Sequence, residues 1–206
     1  MKKKRAVSDE PIYLTKQFFE QLYLQFTSRH YDYKELKQLK DRDSALCCLL
    51  VLAGVRATEV SLLKRKQFKI LENKILLLNV KTEKGGDMRP RIEFTKTGAL
   101  KEFTFCFENW LRQVPSEEAH VFPHGSSFGL SWDSSITRSR VFAIVQLKTG
   151  KFPHYLRGVH ETYYGETIFE GDAWRLANHM GLKRLDSTRP YVQVRHNKDI
   201  EERLHK

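Results

Sequence analysis

Four separated pieces of the chain carry side chains able to do chemistry on an anion. The first is Gly54-Val55-Arg56-Ala57-Thr58-Glu59-Val60-Ser61-Leu62-Leu63, an arginine at a helix start with a glutamate one turn later. The second is Lys84, at the tip of the turn Glu83-Lys84-Gly85-Gly86-Asp87. The third is His154-Tyr155-Leu156-Arg157, which opens a helix, with His179 lying 22 residues beyond Arg157. The fourth is Tyr191, near the C-terminus. Arginine offers a planar, permanently charged fork that matches phosphate oxygens. Lysine and histidine can move protons. A tyrosine hydroxyl, with an ordinary pKa of about 10, becomes a nucleophile where cationic neighbours help it ionise.

Taken singly, each piece has an ordinary structural explanation. Arg56 can be a helix-start residue paired with Glu59, and Lys84 a solvated turn lysine. His179 can be a hydrogen-bonded structural histidine, and Tyr191 a half-buried loop or strand residue. One His-x-x-Arg spacing is about what chance supplies in a chain with eight histidines. Only the order of the pieces, their local context and the charge of the chain give them weight together.

The elements that must position these residues are mostly helical. Phe18, Phe19, Leu22, Tyr23 and Phe26 recur at helical spacing behind Thr15, a plausible cap. A short helix is expected around Tyr33–Leu39, a buried helix over Ser44–Ala53 stopped by Gly54, and then a helix with Val60, Leu62 and Leu63 on its apolar side. Lys69–Val80 reads as a strand, and Arg89–Phe94 as the strand returning from the Lys84 turn. Thr97–Leu111 returns to helical spacing. Val121–Ser135, rich in Gly, Ser, Pro and His, reads as a loop long enough to have a role. Helices are expected over Ile136–Leu147, Tyr155–Phe169 and Asp172–Met180, with a final amphipathic one over Asn197–His205. The fold class is therefore α+β, mainly α-helical with a small antiparallel β-sheet.

Composition narrows the partners. The 206 residues carry 36 Lys+Arg against 25 Asp+Glu, a formal charge of +11, and 40% are hydrophobic. That mixture suits one folded domain with a polyanionic partner and argues against a disordered basic tail. The basic start Met1-Lys2-Lys3-Lys4-Arg5 has no apolar signal core behind it. The longest apolar run, Ala45–Ala53, is far short of the roughly 20 residues that span a bilayer, so no membrane span is expected; charge alone leaves nucleic acid or an acidic membrane surface as the polyanion, and the reading taken is nucleic acid with no membrane partner. The odd set Cys47, Cys48 and Cys106 reads as reduced, buried thiols of a cytoplasmic or nucleoid-associated protein. No metal site is expected. Pro123 separates His120 from His124, and His160-Glu161-Thr162-Tyr163-Tyr164 has a tyrosine where a zinc helix needs its second histidine. Gly85-Gly86 has neither spacing of a nucleotide loop, so no cofactor is expected either.

In this order the pieces resemble the catalytic domain of the tyrosine recombinase (phage integrase) family. That family has an Arg-then-Glu first box, a hairpin Lys, a His-x-x-Arg second box, a His or Trp, and a nucleophilic Tyr. Tyr13-Leu14-Thr15 before a helix also resembles the opening of that domain. The resemblance implies a catalytic domain over residues 12–195, behind a basic lead-in of residues 1–11. Residues 196–206 would then form a tail or short helix exchanged between protomers. Arg56 and Arg157 would grip the scissile phosphate, Glu59 would support Arg56, and Tyr191 would attack to give a 3′-phosphotyrosine. Lys84 would protonate the departing 5′-oxygen, while His154 and His179 would hydrogen-bond the phosphate and assist proton transfer. The covalent link conserves the phosphodiester's energy, so the resemblance calls for no ATP and no metal. Two departures stand out. Tyr191 follows His179 by 12 residues where the family more often has about nine, and Pro190 precedes it. The usual N-terminal clamping domain has no counterpart in the eleven residues before residue 12, so the chain is expected to be a fragment or, as the alternative, a minimal member of the family.

The implied activity is site-specific recombination of double-stranded DNA, as an integrase, with self-association into a tetrameric synapse and a virus, mobile element or host as source. Phosphate contacts are expected from Lys64, Arg65, Lys66, Lys151, Lys183 and Arg184, and base readout from the 121–135 loop or the Lys84 hairpin. Two other functions remain open: a non-catalytic DNA-binding module on the same scaffold, and a type IB topoisomerase-like strand transferase.

Overall fold

A helical stretch that is apolar all round has to be covered on every side, and Ala45–Ala53 is that stretch. It forms the C-terminal part of α2 (Lys37–Ala53), and every residue in it is buried. The computed structural model describes residues 14–28, 37–82, 88–126 and 129–182. Around α2 pack α1 (Lys16–Ser28), α4 (Lys101–Leu111), α5 (Arg138–Thr149) and α6 (Pro153–Tyr163), with α4 and α6 making the most extensive contacts. The covering layer is aromatic. Phe19 and Phe26 of α1 meet Phe103 of α4 edge to face, with ring centres 6.2 and 5.8 Å apart. Such pairs favour edge-on geometry because the ring rim is positive and its face negative.

Between α2 and α4 the chain makes the one-turn helix α3 (Ala57–Val60) and a three-stranded antiparallel sheet. Its strands are β1 (Phe68–Ile70), β2 (Lys74–Leu77) and β3 (Ile92–Thr95), in the order β1-β2-β3. Phe68 faces Leu77 across β1–β2, and Leu77 faces Ile92 across β2–β3. This register sends Phe68, Ile75, Leu77, Ile92 and Phe94 into the core with Phe107 of α4. Beyond β2, Lys81 and Met88 form an isolated antiparallel bridge; the expected Lys84 turn, residues 83–87, lies outside the described residues.

Several boundaries differ from the sequence reading. Lys69–Val80 is not one strand: Leu71-Glu72-Asn73 folds it back, with the Leu71 amide bonding the Lys74 carbonyl at 2.9 Å. The helix after Gly54 is a single turn, and Leu62 is exposed instead of core-facing. Val121–Ser135 is largely not loop, since Pro123–Ser126 (β4) pairs with Gly129–Ser135 (β5) as a second antiparallel hairpin. No apolar alternation announces this hairpin. It is held from outside by Trp132 stacked on Trp110, whose indole N–H bonds the Val121 carbonyl at 2.8 Å, and by Arg42 Nη1 on the Pro123 carbonyl at 3.0 Å. The expected helix Tyr155–Phe169 ends at Tyr163 in a π-turn over Tyr164–Ile168, and α7 is Ala173–His179, capped by Asp172. The helix expected around Tyr33–Leu39 lies partly, and that over Asn197–His205 wholly, outside the described residues. Cys47 and Cys48 are fully buried, whereas Cys106 is half-buried.

Candidate active site

The last turn of any helix leaves carbonyls without amide partners. At the end of α2 these are met by three cationic or polar side chains from two distant parts of the chain. His160 of α6 bonds the Val51 carbonyl through Nδ1 at 2.8 Å. Arg89, just before β3, donates Nη2 to the Ala53 carbonyl at 2.9 Å and Nη1 to the Gly54 carbonyl at 3.5 Å. Arg157 of α6 donates Nη1 to the same Gly54 carbonyl at 2.5 Å. The negative end of the helix dipole favours both guanidinium groups.

Arg56 follows two residues after Gly54 and is the cap residue of α3. Glu59 bonds it twice, accepting from its backbone N–H at 2.8 Å and from its Nη1 at 2.8 Å. This is the glutamate half of a capping box, with an ion pair in place of the cap side-chain bond, since a guanidinium cannot accept. Arg56 is 22% exposed, while Glu59 beneath it is 2% exposed, so the guanidinium faces outward from a buried carboxylate. One turn along α6, Glu161 accepts from Arg157 Nε at 2.9 Å. The site thus holds the guanidiniums of Arg56, Arg89 and Arg157 against the carboxylates of Glu59 and Glu161, leaving one positive charge in excess.

That crowding shows in the proton affinities. Burial and then the charge of Arg157 push Arg89 down to about 10. Arg157 is lowered by burial, with Arg56 adding to the fall and Glu161 opposing it. His179 is pushed down to about 3, first by burial and then by Arg89 and Arg157. His160 lies well below its ordinary value through burial, His179 and Arg89. Both imidazoles are therefore neutral near pH 7. Their Nε2 atoms are 3.0 Å apart, and Tyr164 stacks on both rings, with centres 4.2 Å from His160 and 4.7 Å from His179. The Tyr164 hydroxyl bonds the Glu93 carbonyl at 3.0 Å, tying the π-turn to β3.

Of the residues singled out by sequence, Arg56, Glu59, Arg157 and His179 come together here. His154 stands exposed one turn before Arg157 on the same side of α6. Lys84, Tyr191, Lys183 and Arg184 lie outside the described residues. Lys64 and Lys66 pair with Glu118 at 3.3 and 2.8 Å, and Arg65 bonds the Phe68 carbonyl at 2.8 Å with Glu117 at 3.7 Å. Their charge is largely matched by the Glu117-Glu118 turn. Lys151 lies over the Tyr155 ring, 5.5 Å from its centre. Among the described residues, no three His, Cys, Asp or Glu side chains are grouped as metal ligands. No described helix is long and apolar enough to cross a membrane.

Sequence reasoning missed Arg89, Glu161 and His160. Arg89 was read only as the first residue of a returning strand. Glu161 carried a signal, its four-residue spacing from Arg157 on one helix face. His160 had none beyond its failed likeness to a zinc helix.

The fold is shared with the catalytic domain of tyrosine recombinases. The XerH site-specific recombinase bound to its difH substrate, in a pre-cleavage complex, superposes with a TM-score of 0.61 at 19% identity, over 88% of this chain and 50% of that one. The XerA recombinase gives 0.60 at 19% identity, over 88% and 60% of the two chains. A lambda integrase dimer bound to a COC′ core site gives 0.54 at 14% identity, over 87% and 47%. The chain thus spans about half the length of these proteins. No sequence-family model and no curated protein matches it.

Proposed function

We propose that the chain is the catalytic part of a site-specific tyrosine recombinase, an integrase that cleaves and rejoins double-stranded DNA. The observation that carries this reading is the convergence of Arg56, Arg89 and Arg157 around the end of α2 with one positive charge in excess. It sits on a fold shared with XerH, XerA and lambda integrase. A phosphodiester brings one negative charge, which matches that excess. Its non-bridging oxygens gain further charge as phosphorus becomes five-coordinate, and guanidiniums fixed in advance stabilise that charge without reorganising.

In this mechanism Arg56 and Arg157 hold the non-bridging oxygens. Glu59 and Glu161 keep the forks aimed by occupying one edge of each. Tyr191, ionised beside the arginines with its phenolic proton released to solvent, attacks phosphorus, forming the phosphotyrosine bond as the bond to the 5′-oxygen breaks. Lys84 gives that oxygen its proton. His154, exposed at the start of α6, adds a hydrogen bond to the phosphate. Rejoining reverses these steps with a 5′-hydroxyl from another strand, which requires copies of the chain to assemble on paired sites.

The test is a nicked duplex carrying candidate sites, in which the short strand diffuses away after cleavage and traps the intermediate. An SDS-resistant protein–DNA adduct is expected from the native chain and not from Tyr191→Phe. An unchanged adduct in Tyr191→Phe would assign attack to another residue. Absence of adduct on every duplex, with binding retained, would favour a non-catalytic DNA-binding module.

A further inference from the structure

Residues 134–160 contain Arg138, Arg140, Lys148, Lys151 and Arg157 and no Asp or Glu. They build α5, the turn after it and most of α6. Arg138, Arg140 and Lys151 are exposed, and among the described residues none of the three is in an ion pair. Because α5 packs on both α3 and α6, which bring Arg56 and Arg157 to the candidate site, these cations stand beside that site. Aromatic rings lie among them. Phe142 and Phe152 are 6.4 Å apart, with Arg138 Cζ 5.5 Å from the Phe142 ring centre and Lys151 Nζ 5.5 Å from that of Tyr155. An open hollow of about 390 Å³ is lined by Arg138, Ser139 and Phe142. Phe152 is the residue that local structure explains least. It is the cap residue of α6, makes no side-chain cap bond and is 58% exposed. Thr137, its equivalent on α5, accepts from the Arg140 N–H at 3.2 Å. A helix start favours Ser, Thr, Asp or Asn, and a phenyl ring there gives up that bond while leaving apolar surface in water. Phe152 lies five residues before Arg157, about 7.5 Å along the helix axis, or roughly two base steps.

We propose that Phe152, backed by Phe142 and flanked by Arg138 and Lys151, is a platform on which an unpaired base of single-stranded DNA stacks. The occupant follows from the two chemistries together. Cations alone suit the phosphates of any duplex, but a paired base keeps both faces buried in its stack. Only a base out of the stack offers a face to an aromatic ring, and its phosphates then meet the flanking cations. This deepens the recombinase reading and rests on it for the source of the strand. Once cleaved, the end bearing the 5′-hydroxyl has to leave its own duplex to join another. The platform holds that end close to Arg157 between cleavage and rejoining.

The direct test needs no cleavage. Fluorescence anisotropy compares binding of the full chain to a labelled oligothymidylate of about 12 nucleotides and to a duplex. Phe152→Ala and Phe152→Ser are expected to weaken single-strand binding about tenfold with duplex affinity unchanged, and Phe152→Trp to retain it. An abasic oligomer, with phosphates and no bases, should bind the native chain and Phe152→Ala equally, which assigns the loss to stacking. Phe152→Ser should also raise the denaturation midpoint, because it restores a cap, so its weaker binding cannot come from a damaged fold. Equal single-strand affinity in the native chain and Phe152→Ala overturns the platform, as does a loss shared by the abasic oligomer and the duplex. Self-association that Phe152→Ala abolishes at sedimentation equilibrium also overturns it and gives the face to a second copy of the chain. Adduct formation on the nicked duplex judges the recombinase reading separately. A chain that forms adduct while its Phe152 variants bind single strands normally keeps that reading and loses the platform. A chain that forms none but shows the base-dependent loss keeps the platform and loses the recombinase reading.

Discussion

A Cβ placed on Gly54 would lie 2.4 Å from Cδ2 of His160, closer than such atoms ever approach. Gly54 also has φ +55°, the left-handed turn that ends α2 and turns its carbonyl towards Arg157. One glycine therefore lets the helix stop, admits the imidazole and presents the acceptor shared by two arginines.

Gly54→Ala should destabilise the chain by about 2 kcal/mol or more, the sum of left-handed strain and a clash with a ring that cannot move away. Chemical denaturation would measure it. Gly98→Ala is the control: its φ is also positive, but nothing lies within 4 Å of its Cβ, so strain acts alone and the loss should be smaller.

Arg89 is 3% exposed and joins the end of α2 to the end of α7. Arg89→Met keeps much of the stem but leaves the Ala53 and His179 carbonyls without their donor. The expected loss is roughly 2–4 kcal/mol by denaturant midpoint. Arg89→Lys should recover only part of it, since one ammonium cannot reproduce a fork spanning two backbones.

Glu59→Gln retains one oxygen acceptor where two served Arg56. Stability should fall by about 1 kcal/mol. Adduct formation should fall about tenfold, because the Arg56 fork is less firmly aimed. Matched denaturation and adduct time courses would separate the two effects.

Acid should destabilise the fold through the imidazole pair. Both rings have folded affinities below the ordinary 6.5, with His179 near 3, so the unfolded chain binds protons that the folded chain refuses. Their contribution is complete above about pH 6.5 and falls as pH drops from there towards 3. The slope approaches about 1.4 kcal/mol per pH unit for each ring. Denaturation between pH 7 and 4.5 would show this, and His179→Phe should flatten the profile.

Thiol labelling should be selective. Burial pushes the Cys47 and Cys48 thiols up, while the hydrogen bond from Cys48 lowers half-buried Cys106. In the native chain an aqueous disulfide reagent should modify Cys106 alone, and all three cysteines only after unfolding. Mass spectrometry of digests would assign the site.

What the sequence determined by itself is what short-range pattern and composition can carry. Helical periodicity marked α1, α4 and α6, the unbroken apolar run marked the buried end of α2, and the charge balance gave the expectation of a polyanionic partner. Arg56 with Glu59 was legible because the pair spans one helical turn, and Arg157 because it closes the His154-x-x-Arg157 spacing. The tertiary structure alone decided the rest. The β4–β5 hairpin exists because Trp110 and Arg42, distant in the chain, support it. Arg89 and His160 enter the site because the end of α2 exposes carbonyls that only groups from other elements can reach. Such contacts depend on where three segments meet in space, and no local spacing encodes that meeting.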